Sequence, residues 1–129
     1  EGFLYDSTLG FWEHIGYRAG ISFPFHPYNI KENKPFKILE IPLIVMDTTL
    51  QSPKAMYSSN RQAFKQIKRL IHNARNNYSH ISLLWHNTIF DTIDYPHWGK
   101  LYYKILKYAY KKDAWICSLR ELYEFWQEN

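Results

Sequence analysis

The chain has 129 residues, 46% of them hydrophobic and 19% aromatic, which suits one packed domain or part of one and argues against disorder. Its net charge of +4 fits either a plain basic protein or one that meets a negatively charged partner. Cys117 is the single cysteine, so no intrachain disulfide forms, and no apolar run approaches the roughly 18 residues of a membrane-spanning helix.

Residues 2–5, GFLY, read as a short strand ending at Asp6. The start at Glu1 rather than Met, running almost at once into FLYDS, reads as a cut inside a longer protein. Residues 7–35 hold Gly10, Gly16, Gly20, Pro24, Pro27 and Pro35, and are expected to be mostly loop, with a short extended piece near Tyr17–Arg18. Residues 36–46, FKILEIPLIVM, form an apolar strand candidate in which Pro42 lacks a ladder donor and marks an edge, a bulge or a strand start. A helix over 59–76 is signalled by the capping-box spacing of Ser59 and Gln62. Ala63, Phe64, Ile67, Leu70, Ile71 and Ala74 then recur on one face. The strand ISLLWH (81–86) follows, then a loop over 87–95. A second helix starts after Asp94 and Pro96, carries Trp98, Leu101, Tyr102, Ile105 and Ala109 on one stripe, and stops near Lys111–Asp113. AWIC (114–117) reads as a short strand. Ser118 and Glu121 make another capping box, with Leu119, Leu122, Tyr123 and Trp126 facing inward on a last helix.

Strands alternating with helices imply parallel crossover units, hence an α/β fold; an open parallel sheet and part of a (β/α) barrel both fit. In such folds the carboxyl ends of the strands form the ligand face. Three strands here end on Asp6, Asp47 and His86. A strand-end Asp often only caps a turn; three such residues on one rim make a candidate site. His86 suits general acid–base work. Arg18, in GYRAG, is placed either as a clamp on a rim carboxylate or substrate oxygen, or as a structural ion-pair partner of Asp6 or Asp47. Alternation along the strand sends Trp85 to the side opposite His86, against a helix, while Asn87 flanks the histidine on the other side.

The segments YDSTLGF (5–11), GYRAG (16–20), PF (24–25), EIPLIVMDTTL (40–50) and LLWHN (83–87) together resemble, in order and spacing, the bacterial polysaccharide deacetylase family, over most of residues 2–99. The resemblance implies a distorted (β/α) barrel with parallel strands and covering helices. It implies a hydrolase that removes acetyl groups from acetylated sugars with a divalent metal, commonly zinc, held by one Asp and two His. It makes His86 the acid that protonates the leaving group; Asp6, Arg18, Asp47 and Asn87, from the rim reading above, are the substrate-binding candidates. The family's early T-F-D-D and its following H-x-x-x-H are absent, and TIFDT (88–92) comes after LLWHN, on the wrong side of the order. The chain therefore reads as a single unit, residues 1–129, forming the C-terminal part of the domain. The metal ligands then lie outside this chain, and the chain alone is expected to be inactive. The partners implied are the N-terminal half of its own domain and an acetylated polysaccharide or oligosaccharide, in a bacterial cytoplasm or cell envelope. Half a barrel leaves an open sheet edge and exposed apolar surface.

Two other readings compete. Arg61, Lys65, Lys68, Arg69 and Arg75 on the first helix, and Lys100, Lys104, Lys107, Lys111 and Lys112 on the second, suggest a nucleic-acid module. They lie opposite the apolar stripes, as on any solvated amphipathic helix, so no nucleic-acid partner is expected. The aromatic loop FPFHPY (23–28) either stacks on sugar rings, in a carbohydrate-binding or assembly domain without catalysis, or seals one end of a barrel; sealing is the favoured alternative.

Overall fold

A computed structural model describes residues 2–128. Its elements run β1 (Tyr5–Asp6), β2 (Tyr28–Asn29), β3 (Lys34–Pro35), β4 (Leu39–Glu40), β5 (Val45–Met46), α1 (Asp47–Gln51), α2 (Asn60–Asn76), β6 (Leu83–Leu84), a 3-10 turn (Asn87–Phe90), α3 (Trp98–Tyr110) and α4 (Leu119–Glu128). β1 pairs with β4 in parallel, and β5 pairs with β6 in parallel, so the α/β character expected from the alternation is present. Among the described residues no helix is long and apolar enough to cross a membrane.

Residues 36–46 are not one strand. They split into β4 and β5 around Pro42, whose missing N–H breaks the ladder. The Ser82 side chain patches the break. Its hydroxyl donates to the Pro42 carbonyl (2.6 Å) and accepts from the Ile44 N–H (2.9 Å). The segment thus stays extended and buried, with Leu39, Ile41 and Val45 fully inside.

Residues 7–35 are mostly loop, as expected, with one short antiparallel hairpin, Tyr28 opposite Pro35 and Asn29 opposite Lys34. Two further expectations are corrected. Tyr17–Arg18 is a turn rather than an extended piece, with the Gly20 N–H donating to the Tyr17 carbonyl (3.0 Å). AWIC is not a strand, because among the described residues no neighbouring edge pairs with it. Trp115 remains 59% exposed and meets the edge of the Phe125 ring instead.

α2 forms as its signals require. Ser59 Oγ accepts from the Gln62 N–H, and Gln62 Oε1 accepts from the Ser59 N–H (2.9 Å). Its inward stripe buries Ala63, Ile67, Ile71 and Ala74. α3 buries Trp98, Leu101 and Ile105, and these two stripes close over Ile44, Val45 and Leu50 to make the core. Gly99, in the first turn of α3, lets the 3-10 turn approach: a Cβ there would meet a Phe90 ring carbon at 2.9 Å. The Ser118–Glu121 capping box also forms, but no residue of α4 is fully buried.

Candidate functional site

The parallel register places Val45 beside Leu83 and Met46 beside Leu84. The residues that follow must therefore leave the sheet at one end. Asp47 leaves into α1, and Trp85 and His86 leave toward the 3-10 turn. Side-chain alternation then separates the last two. Trp85 lies against the Trp98 and Tyr102 rings of α3, at centroid distances of 6.4 and 5.7 Å. His86 turns the other way.

The His86 ring meets Asp47. Asp47 Oδ1 is 2.7 Å from His86 Nδ1, and Asp47 Oδ2 accepts from the His86 main-chain N–H at 2.6 Å. The Thr48 N–H donates to Oδ1 at 2.6 Å. Asp47 is fully buried, while the His86 side chain is 45% exposed. A carboxylate only accepts, so Nδ1 carries a proton and Nε2 is the nitrogen left to exchange one. No partner holds Nε2 among the described residues. This is a buried acceptor fixing the tautomer and orientation of a ring whose other nitrogen is accessible, the arrangement acid–base catalysis uses.

Compared with protein-family models, with curated proteins and with solved structures, the chain finds no match.

The remaining expected residues divide. Asn87 begins the 3-10 turn next to His86 and is exposed, so it shares the rim. Asp6 does not. Its register partner is Glu40, seven residues before Asp47 along the same segment, on the order of 20 Å of extended chain. Asp6 Oδ2 accepts from the Thr8 hydroxyl at 2.6 Å, the turn-capping role a strand-end Asp commonly has. That bond, outweighing burial, holds its carboxyl below the usual range. Arg18 is exposed, and Nη1 donates to the Gly10 carbonyl (2.9 Å). Among the described residues it makes no ion pair with Asp6 or Asp47, so neither the clamp on a rim carboxylate nor the structural pair is formed. The FPFHPY loop is pinned along β4, where Phe25 and Glu40 exchange main-chain hydrogen bonds (3.0 and 2.8 Å).

One ionisable residue escaped the sequence reading. Glu40 is 5% exposed, and its Oε1 accepts from the Leu9 N–H at 3.2 Å. Burial, with Asp6 beside it, pushes its carboxyl up to about 7. The available signal was a lone charge inside the apolar run ILEIPLIV.

Among the described residues, no group of three or more His, Cys, Asp or Glu side chains converges as a metal set. These residues by themselves do not fit a divalent metal, and no step below runs through one.

Proposed function

We propose that this chain is the C-terminal part of a polysaccharide deacetylase-type domain, a distorted (β/α) barrel, with His86 as the acid that protonates the leaving group. The observation that carries the proposal is the Asp47–His86 pair at the ends of adjacent parallel strands. In this reading the imidazolium gives its Nε2 proton to the amine or alkoxide that departs from the acetyl carbon. The neutral ring that remains keeps its Nδ1 proton on Asp47. Asn87, exposed next to His86, would hydrogen-bond a sugar hydroxyl. In this reading the attacking water and a divalent metal, commonly zinc in that family, would be held by residues of an N-terminal half of the domain. The acetylated polysaccharide or oligosaccharide would lie across the rim.

The test uses the intact parent protein. Acetate release from acetylated chitooligosaccharides is measured with and without added zinc, for the wild type and for His86→Ala. Release that depends on zinc and falls at least 100-fold in His86→Ala, with an unchanged circular dichroism spectrum, supports the proposal. Binding of the oligosaccharide without turnover in the wild type refutes catalysis and leaves a carbohydrate-binding domain.

A further inference from the structure

Taken one helix at a time, the basic faces of α2 and α3 are ordinary solvated surface; packed together, they converge. Asn60 and Arg61 at the start of α2 line the same groove as His97, Lys100 and Lys104 at the start of α3. The far ends of the two helices also meet, where Arg75 pairs with Asp113 at 3.2 Å. The helices therefore run parallel, with their N-terminal ends together. Lysines are held along the seam by rings: Lys104 Nζ lies 4.3 Å from the Phe64 centroid, and Lys68 Nζ lies 5.4 and 5.6 Å from the Phe64 and Tyr108 centroids. Neither helix contains an Asp or Glu.

The groove has a volume of about 250 Å³. Its walls offer donors. The Asn60 side-chain nitrogen, Nδ2, is buried and has no acceptor among the described residues. An unpaired buried donor leaves room for one more acceptor at this residue. His97, the N-cap of α3, makes no side-chain capping bond, so the first-turn N–H groups of α3 are not capped by it. Cationic side chains, an unpaired amide donor and the N-terminus of α3 favour negative charge together; that of α2 is already closed by its capping box. The loop after α1 leads into α2, and the 3-10 turn after His86 leads toward α3.

We propose that this groove is a binding site for the oxyanion group of a sugar, a phosphate ester or a uronate carboxylate. The choice of a sugar as carrier rests on the deacetylase reading; the anion site itself does not. Arg61 and Lys100 grip the oxygens, and Asn60 Nδ2 donates to one of them. The substrate of the rim is then a glycan that carries negative charge.

The test is a titration of the ¹⁵N-labelled intact parent protein with glucose 6-phosphate, glucuronate, inorganic phosphate and neutral N-acetylglucosamine. The expected result is saturable shifts at Asn60, Arg61 and Lys100 with an anionic sugar and none with the neutral one. Whichever of glucose 6-phosphate and glucuronate binds more tightly assigns the anion. Arg61→Gln and Lys100→Gln, both exposed in the wild type, each weaken binding by on the order of tenfold. The absence of saturable shifts, or equal affinity in both variants, overturns the site. Inorganic phosphate binding as tightly as both sugars overturns the sugar carrier. A parent protein that releases no acetate but still gives these shifts refutes the deacetylase reading and keeps the anion site.

Discussion

Asp47→Asn tests the rim most sharply, because the substitution keeps the shape and removes one acceptor. In the wild type, Asp47 Oδ1 serves the Thr48 N–H and His86 Nδ1, and Oδ2 serves the His86 N–H. An asparagine has one oxygen. If its NH₂ replaces Oδ2, it faces the His86 main-chain N–H, donor against donor. If it replaces Oδ1, it faces the Thr48 N–H and the imidazole. Either orientation strands at least one main-chain donor at a residue that is fully buried. One unpaired buried donor costs about 1–3 kcal/mol, and losing the charge from the remaining bonds adds about 1 kcal/mol. The variant should therefore be about 2–4 kcal/mol less stable by urea denaturation, a large share of the ~5–15 kcal/mol typical of a domain. Where NH₂ replaces Oδ1, the ring also changes tautomer, so long-range ¹H–¹⁵N spectra should show the His86 proton moving from Nδ1 toward Nε2. A loss under about 0.5 kcal/mol would refute the reasoning, because the carboxylate would then not be holding those donors.

Ser82→Ala removes the hydroxyl that bridges the break at Pro42 and strands the Ile44 N–H, while His80 Nε2 stays 3.2 Å from the Pro42 carbonyl; a loss of about 1–2 kcal/mol in urea denaturation is expected. Trp85→Ala removes the contacts with Trp98 and Tyr102 and should lower stability by about 3 kcal/mol, with a visible loss of near-ultraviolet circular dichroism. Glu40 has its carboxyl raised from 4.5 to about 7 in the folded chain, so the folded state holds that proton more tightly than the unfolded one. Its contribution is fully present below pH 4.5 and is lost as pH rises through about 7. After discounting for solvent screening on the Asp6 side, about 2 kcal/mol should disappear across that window. Glu40→Gln should flatten that part of the stability–pH curve, and an unchanged curve would show that Glu40 does not titrate there.

α2 was legible because its information is local: a capping box and a stripe of one period lie within one segment. The meeting of Asp47 and His86 was legible for a different reason. Parallel strands share an end, so the residue types at their ends report on one rim. Asp6 broke that reasoning because β1 is registered against β4, far back along the strand segment, and a strand-end residue marks the rim only when the registers agree. AWIC was misread because a short apolar run fixes neither pairing nor burial: no partner edge meets it among the described residues, and Trp115 and Ile116 stay exposed. The interruption at Pro42 was foreseen, but its repair was not, since Ser82 lies 40 residues away. The basic seam was hidden for the same reason: helical periodicity shows which face of a helix is polar, and only the contact of Phe64 with Tyr108 shows that two such faces adjoin.

The central claim is that His86 moves a proton at a rim where Asp47 holds its ring. The most direct measurement is single-turnover acetate release by the intact parent protein, wild type against His86→Gln, at pH 7. The account predicts a fall of about 100-fold or more in the variant with substrate binding retained. Release at the wild-type rate from the variant would contradict it.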